Sequence, residues 1–243
     1  MDNQANLYQQ VSIGQHQCGV ELIDQLVLCP GDRVLDIGSG TGNLTAIIAE
    51  KVGESGCVYA VEPDESRYAL ARKEIPCNNI NWYSQTFSAF VPPAWPFFTA
   101  VYSNYVFHWM PDQCQAVKRI SKALLPGGRF AFCCVHGMPE IIRTLCECMG
   151  SDSGQILSSL HFTPKADWLA YFNAAGLTVI QTDEVDDYHF DSIEAVMCWW
   201  EATTHGKFSR DQLSQYHLDM LRDRYPGVVK IYREETLRLV AVK

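Results

Sequence analysis

The sequence predicts an α/β protein with a mostly parallel sheet, and three observations support this prediction. Short apolar runs alternate with amphipathic stretches through the first half of the 243-residue chain. Hydrophobic residues make up 47% of the chain and charged residues 19%, which is the balance of a protein with a large core. A glycine-rich turn at residues 38–42 joins the first apolar run to the first amphipathic stretch, as in many ligand-binding α/β folds.

Hydrophobic periodicity predicts the elements in chain order. The seven expected strands cover residues 33–37, 57–61, 80–83, 99–103, 129–134, 177–182 and 237–242. The six expected helices cover residues 43–51, 65–74, 113–124, 165–175, 191–203 and 210–225. No linker divides the chain, so a single domain over residues 1–243 is expected, with a ligand-binding core at about 1–140. The last two helices predict a small cap at about 185–230, inserted before the closing strand.

Charge and cysteine usage narrow the class of protein. The formal net charge is −9, and the longest basic run is the pair Arg72-Lys73, which disfavours nucleic acid as a partner. Residues 1–10 are polar, and no apolar stretch approaches the ~20 residues of a membrane span, so a cytoplasmic protein is expected. The ten cysteines include no CxxC pair, which predicts reduced packing residues and no metal site.

The glycine-rich turn indicates the kind of ligand. A dinucleotide site needs G-x-G-x-x-G, but here Gly38 and Gly40 are followed by Gly42, and Asn43 follows in turn. Asp36 lies two residues before Gly38, where its carboxylate would repel a pyrophosphate and suit an ammonium group. A ligand with an amino-acid part therefore fits this turn better than a dinucleotide does.

Glu62 ends the second predicted strand, twenty positions after Gly42. A carboxylate at this point can accept hydrogen bonds from both hydroxyls of a ribose. An amino acid joined to a nucleoside without phosphate describes S-adenosylmethionine. The alternative is that the glycines serve only the turn and that Glu62 only precedes a helix, but the ordered set of motifs favours the cofactor.

Three separated motifs, at residues 34–43, 61–63 and 124–128, resemble the class I S-adenosylmethionine-dependent methyltransferases. The resemblance covers about the first 140 residues and implies a Rossmann-like fold with helices on both faces of a seven-stranded sheet. It implies S-adenosylhomocysteine as the second product. It implies the following cofactor-binding residues: Asp36, Gly38, Ser39 and Gly40 around the methionine part, Glu62 with Pro63 at the ribose, Gln85 and Thr86 at the adenine, and Ser103 and Asn104 at the methionine end. The family usually has Asp after the third strand, so Gln85-Thr86 departs from its pattern.

The pair His108-Trp109 follows the fourth predicted strand and is similar to the small-molecule carboxyl methyltransferases, among them those of juvenile hormone acid and trans-aconitate. Leu7-Tyr8, followed after six intervening residues by Gln15, is similar to the N-terminal motif of the juvenile hormone acid enzymes. In that family a Gln and a Trp hold the substrate carboxylate. The resemblance therefore implies that Gln15 and Trp109 bind the carboxylate of a small, partly apolar acid.

Carboxylate chemistry agrees with these residues. An ionised carboxylate is already a nucleophile, so it needs alignment and partial desolvation rather than a general base. The side-chain N–H groups of Gln15 and Trp109 are neutral donors that can orient it without stabilising the charge that disappears during methyl transfer.

Alternatives remain open at this stage. His108 could act as the base for O- or N-methylation of another small molecule, or it could make only a structural hydrogen bond. The chain could also be a non-catalytic partner subunit that keeps the fold. Aromatic residues of the expected cap could enclose an apolar chain or merely pack against the sheet; these are Tyr188, Phe190, Trp199 and Trp200, with Met197 beside them.

Overall fold

In the computed structural model, which describes residues 5–7, 11–183, 188–231 and 236–243, a seven-stranded sheet forms the centre of the molecule. The strand order is β3-β2-β1-β4-β5-β9-β6, and β9 is antiparallel to both of its neighbours. The strands of this sheet are β1 (Arg33–Ile37), β2 (Cys57–Glu62), β3 (Ile80–Ser84), β4 (Phe98–Asn104), β5 (Leu124–Val135), β6 (Thr178–Asp183) and β9 (Thr236–Val242). The predicted mostly parallel sheet of seven strands is therefore confirmed.

The helices in chain order are α1 (Ile13–Gln25), α2 (Asn43–Val52), α3 (Glu65–Glu74), α4 (Gln113–Ala123), α5 (Glu140–Met149), α6 (Gly154–Leu157), α7 (Lys165–Ala174), α8 (Ile193–Thr203) and α9 (Gln215–Arg224). Helices α1 and α2 pack on one face of the sheet, and α4 and α7 on the other. The strand order reverses at β1, between β2 and β4. In open α/β sheets, ligands bind at the carboxyl ends of the strands beside such a reversal.

Several predicted boundaries were wrong, and local hydrogen bonds explain the differences. The predicted helix over 210–225 is divided in two, because Ser214 caps α9 by accepting the backbone N–H of His217. In the same way Ser192 caps α8, which therefore begins at Ile193 rather than at 191. Leu124 adopts an extended backbone and pairs with Phe98, so α4 ends one residue early and β5 begins five residues early.

A second hydrophobic core lies beyond the carboxyl ends of the strands. It is formed by α5, α6, α8 and α9 with a two-stranded sheet of β7 (Tyr188–Phe190) and β8 (Val229–Ile231). We refer to these elements together as the cap. The predicted cap range did not include α5 and α6, which follow β5 and contribute Ile142, Leu145 and Ile156 to this core. Burial of one apolar face of each helix against the others holds the cap together.

Two polar contacts join the cap to the end of β2. Arg67 donates a hydrogen bond to the carbonyl oxygen of Ala202 at 3.0 Å, and His205 Nδ1 lies 2.8 Å from an Asp64 carboxylate oxygen. The hydrogen bond with His205 is the main reason why the pKa of Asp64 is lowered to about 2. The carboxyl end of α8 is thereby fixed beside Glu62.

All ten cysteines lie within the described residues, and each is a free thiol. Within those same residues, no helix combines the length and the apolar character needed to cross a bilayer.

Candidate active site

The turn between β1 and α2 forms the floor of a cleft. Gly38, Gly40 and Gly42 all have positive φ angles, of 74°, 57° and 83°, which residues with a Cβ rarely adopt. A Cβ at Gly38 would lie 2.3 Å from a methyl carbon of Val106, so this position also requires close approach of the next loop. At Gly40, by contrast, a Cβ would meet no protein atom within 4 Å, because the backbone there faces the open cleft. A ligand can therefore approach the main chain closely at Gly40.

Asp36 is buried at the base of the cleft, where Thr45 Oγ1 donates a hydrogen bond to Asp36 Oδ2 at 2.6 Å. Burial raises the pKa of Asp36 to about 7, although the Thr45 hydroxyl opposes that shift by stabilising the charged form. Because burial destabilises the charged form of Asp36, a cationic partner would stabilise it strongly. Sequence analysis did not identify Thr45, because its role depends on the helix turn that brings it back to β1.

Glu62 is held in place by two main-chain donors. Gly40 N donates to Glu62 Oε2 at 2.8 Å, and Asp64 N donates to Glu62 Oε1 at 2.9 Å. Burial raises the pKa of Glu62, while these two hydrogen bonds and the nearby Arg67 lower it. Each carboxylate oxygen keeps a second acceptor site, so the pair remains suited to two hydroxyl groups of a ribose.

Buried acceptors without partners also line the cleft above Asp36. Ser39 Oγ and Asn104 Oδ1 have no hydrogen-bond partner among the described residues, although each is shielded from solvent. An ammonium group has three donors and no acceptor, so a cleft lined by Asp36, Ser39 and Asn104 matches its chemistry. The assignment of these residues to the methionine part of S-adenosylmethionine agrees with this chemistry and stays a prediction.

Strand alternation separates the two residues expected at the end of β4. Tyr102 and Asn104 share one face of the strand and line the cleft, whereas Ser103 points to the opposite face. Ser103 is fully buried, and its hydroxyl donates to the carbonyl oxygen of Ile37 at 3.1 Å. Its observed contact is therefore a bond between β4 and β1. Side chains alternate between the two faces of a strand, so the sequence could have indicated that Tyr102, and not Ser103, lies on the same face as Asn104.

The residues expected around the adenine lie at the neighbouring strand ends. Glu62 pairs with Ser84, which places Gln85 and Thr86 directly beyond the end of β3. Gln85 is half-buried, whereas Thr86 and Pro63 are exposed. Thr86 Oγ1 accepts the backbone N–H of Ala89 at 3.3 Å and thus closes a turn. None of these three predicted residues lines the cleft at Asp36. The adenine contacts of Gln85 and Thr86 and the cofactor contact of Pro63 therefore stay predictions.

Gln15 lies at the boundary between this cleft and a second cavity, and it lines both. Its main-chain carbonyl accepts a hydrogen bond from Asn104 Nδ2 at 3.0 Å, on the cofactor side. Its side-chain Oε1 accepts one from Trp199 Nε1 of the cap at 3.3 Å. An indole N–H can only donate, so the amide oxygen must face Trp199 and the amide N–H₂ is left for another acceptor. Tyr8, the other residue of the predicted N-terminal motif, lies outside the described residues.

The two residues of the His-Trp pair point in different directions from a 3₁₀ turn over Phe107–Trp109. His108 is buried beside the second cavity, 3.8 Å from Cys134 Sγ, and burial lowers its pKa to about 3. Trp109 instead packs on the core of the cap and lines neither cavity. The side-chain contact of Gln15 is thus with Trp199, and Trp109, which was expected to hold the substrate carboxylate together with Gln15, does not line a cavity that Gln15 lines.

The second cavity lies between the cap and the end of the sheet, and we refer to it as the apolar cavity. It contains about 600 Å³ of empty space, its mouth included. Its described lining contains no Lys, Arg, Asp or Glu, and is as follows: Gln15, Tyr105, His108, Val135, Met138, Pro139, Ile142, Leu160, Phe162, Tyr188, Trp199, Trp200, Thr203, Ile231 and Thr236. Of the cap residues that the sequence analysis named, Tyr188, Trp199 and Trp200 line this cavity, whereas Phe190 and Met197 pack within the cap.

Comparison with known proteins agrees with this geometry. Residues 34–128 match the family described as a methyltransferase domain. Aklanonic acid methyltransferase DauC of Streptomyces sp. (strain C5) is 34% identical over 116 residues, which cover 47% of this chain and 53% of that protein. Trans-aconitate 2-methyltransferase of Rhizobium rhizogenes (strain K84 / ATCC BAA-868) is 24% identical over 247 residues, which cover 92% of each chain. In its strongest sequence matches, the chain spans about half the length of the curated relatives.

The structure is similar to solved methyltransferases as well. Geranyl diphosphate C-methyltransferase from Streptomyces coelicolor A3(2), solved with S-adenosyl-L-homocysteine, is similar with a TM-score of 0.60 and 14% identity, over 93% of this chain and 77% of that one. The resemblance found in the sequence is therefore confirmed. Residues 34–128 match the methyltransferase-domain family, and the chain shares its fold with a methyltransferase solved with S-adenosyl-L-homocysteine, which is what S-adenosylmethionine becomes after methyl transfer.

Proposed function

We propose that this protein transfers the methyl group of S-adenosylmethionine to the carboxylate of a small acid with an apolar tail. The observation that carries this proposal is the position of Gln15, which lines both the cofactor cleft and the apolar cavity. A substrate in the apolar cavity would meet the cofactor at that boundary. The group that reacts there would be the one nearest to the Gln15 amide.

The cofactor supplies an electrophilic methyl group on a positively charged sulfur, and the residues of the chain have two tasks around it. Asp36, Ser39 and Asn104 would hold its ammonium group, and Glu62 would hold its ribose. Gln15 lines the same cleft, so a cofactor held in this way would lie beside it. Correct placement of both reactants can contribute up to about 7–11 kcal/mol to the lowering of the barrier.

Neutral donors at the boundary favour a carboxylate as the acceptor of the methyl group. The N–H₂ group of Gln15, oriented by Trp199, can donate to one carboxylate oxygen while the other attacks. No described residue in the cavity lining carries a positive charge, so the charge of the carboxylate is not stabilised by an ion pair that would be lost on methylation. The same arrangement disfavours an acid with several carboxylates, each of which would need its own partner.

Methylation of a phenol, alcohol or amine with His108 as base is the weaker candidate. A base that removes such a proton at neutral pH works best with a pKa near 7. Burial lowers the pKa of His108 to about 3, so its imidazole is a poor proton acceptor. A carboxylate needs no base, since it is ionised at neutral pH.

The experiment that tests the proposal offers the protein three groups of small molecules together with S-adenosylmethionine. The first group contains aliphatic monocarboxylic acids, the second trans-aconitate and citrate, and the third phenols and amines of similar size. We expect methyl esters of the monocarboxylic acids by mass spectrometry, and little product from the other groups. Product only from phenols or amines would contradict the carboxylate proposal and favour the weaker candidate. Tight cofactor binding without product from any group would favour a non-catalytic partner subunit.

A further inference from the structure

Two polar atoms of cap helix α8 line the apolar cavity and are buried without a hydrogen-bond partner among the described residues. Trp200 Nε1 and Thr203 Oγ1 are shielded from solvent and make no hydrogen bond to any described residue. The two residues are three positions apart on the helix, so their side chains lie on the same face, and both line the cavity. Buried polar groups in native proteins are nearly always paired, so this pair of unpaired groups needs an explanation.

The unpaired state of these groups is not forced by the helix. Thr204, the next residue, donates its hydroxyl to the carbonyl oxygen of Trp200 at 2.9 Å and is fully satisfied within the helix. Trp199, the preceding residue, donates its N–H to Gln15. The side chains of Trp199 and Thr204 are therefore paired with protein groups. Those of Trp200 and Thr203, which face the cavity, have polar atoms that a ligand could pair.

We propose that Trp200 and Thr203 form a second polar subsite, which recognises a neutral hydrogen-bond acceptor within the apolar tail of the acid. This inference rests on the proposed function, since it describes the other end of the same substrate. The indole N–H can only donate, and a hydroxyl can donate as well, so the matching group is a carbonyl, ether or epoxide oxygen. The described lining has no cation here, so a neutral oxygen fits this site better than a second carboxylate.

The subsite would work as a selector rather than as part of the chemistry. A plain hydrocarbon tail leaves both donors buried and unpaired, whereas a tail with an oxygen at the right position satisfies them. An acid whose tail lacks this oxygen should therefore bind more weakly, by about the net contribution of a hydrogen bond. The acid held by Gln15 would thus be chosen by an oxygen that lies within its tail.

The test compares nonanoic acid with its isomeric oxo derivatives, in which a carbonyl is moved along the chain. Binding of each acid to the protein loaded with S-adenosylhomocysteine is measured by calorimetry, and methyl ester formation is measured as kcat/KM. The proteins are the wild type, Trp200→Phe and Thr203→Val, which remove the polar atom and keep most of the volume. Trp168→Phe is the matched control, because Trp168 Nε1 is also buried without a partner among the described residues but lies outside the cavity.

We expect the wild type to prefer at least one oxo isomer over nonanoic acid by roughly 2- to 10-fold, the range that one net hydrogen bond gives. Trp200→Phe should bring this ratio close to one without weakening binding of nonanoic acid, and Thr203→Val should lower it in part. Trp168→Phe should leave the ratio unchanged. The inference is overturned if no oxo isomer is preferred, as when a trapped water pairs the two groups, or if the ratio survives both substitutions.

The two readouts keep this inference separate from the proposed function. If acids bind but no ester forms from any of them, the proposed function fails, while the calorimetric ratio still tests the subsite. If esters form from plain and oxo acids equally well in every variant, the proposed function stands and the subsite is rejected. A wild-type protein that binds none of these acids contradicts both.

Discussion

Gln15 Oε1 accepts a hydrogen bond from Trp199 Nε1 at 3.3 Å, and this bond joins helix α1 to cap helix α8 at the boundary between the two cavities. Both side chains are buried, so the bond is protected from water. It fixes which end of the Gln15 amide faces the cap. The direction in which Gln15 can donate, and hence the place where the proposed carboxylate would bind, depends on a residue 184 positions away.

Substitution of Gln15 tests the carboxylate-binding role directly. Gln15→Ala should lower kcat/KM for an acid substrate by about 100-fold, the loss that a misplacement of a reactant by about 1 Å can cause. Cofactor affinity should change by less than about threefold, because the contact of Gln15 with Asn104 uses the main-chain carbonyl, which alanine retains. Gln17→Ala is the control, since Gln17 lies exposed on the same helix. Equal turnover in Gln15→Ala and Gln17→Ala would rule out the proposed role.

Trp199 is expected to act through Gln15 as a positioning residue. Trp199→Phe removes the N–H that orients the amide and should lower kcat by about tenfold with little change in KM. The effect should vanish in the Gln15→Ala background, because the amide that it orients is then gone. Steady-state kinetics on the two single variants and the double variant measure this coupling. Additive losses would mean that Trp199 serves only to pack the cap.

Asp36 should weaken the free protein while it serves the cofactor. Its pKa in the folded state is about 7, above the ordinary value of 3.8, so the folded protein retains a proton that the unfolded chain releases between those pH values. The stability of the free protein should therefore fall as pH rises from about 4 to about 7. Asp36→Asn should remove this slope and stabilise the free protein at pH 8 by on the order of 2 kcal/mol.

The same Asp36→Asn variant should lose cofactor binding by at least about 100-fold, because a neutral amide cannot pair with an ammonium group. Thermal unfolding across pH gives the stability of the free proteins, and calorimetry gives the affinity. A variant that binds the cofactor normally would remove Asp36 from the site. A difference in melting temperature between the wild type and Asp36→Asn that stays constant from pH 4 to pH 7 without ligand would contradict the raised pKa of this carboxyl.

Thr45 should set the pH range in which the cofactor binds. Below about pH 7 the Asp36 carboxyl takes up a proton, so cofactor affinity should fall towards lower pH. Thr45→Val removes the hydroxyl that stabilises the charged form and should move the midpoint of this fall upward by roughly one pH unit. Thr41→Val alters another buried threonine that lines the cleft and should leave the midpoint in place. Identical midpoints in all three proteins would show that the Thr45 hydroxyl has no such effect.

The cofactor half of the site was predictable because its residues are local in sequence. The turn from β1 into α2 needs glycines at positive φ, and Asp36 and Glu62 each lie at the end of a strand that periodicity identifies. Parallel strands bring their carboxyl ends to one edge, so the two acids were expected to be neighbours. The position of Ser103 was missed because its place in the motif was weighed above the alternation of β4.

The substrate half was less predictable, because its contacts join segments that lie far apart in the sequence. Gln15 was identified from a motif, but the hydrogen bond that orients its amide comes from Trp199 and depends on how the cap folds over α1. Trp109, the second expected carboxylate donor, packs on the core of the cap. Helix α5 was not predicted, although Ile141, Ile142 and Leu145 follow the spacing of an amphipathic helix. Because α5 was not predicted, the sequence did not indicate where the core of the cap lies or that a cavity lies beneath it.

The most direct test of the account is a crystal structure of the ternary complex with S-adenosylhomocysteine and a medium-chain monocarboxylate. The account predicts that a carboxylate oxygen lies within hydrogen-bond distance of Gln15 Nε2, that the other faces the cofactor sulfur, and that the tail fills the apolar cavity beside Trp200. A carboxylate bound away from Gln15, or a tail that leaves the apolar cavity empty, would contradict it.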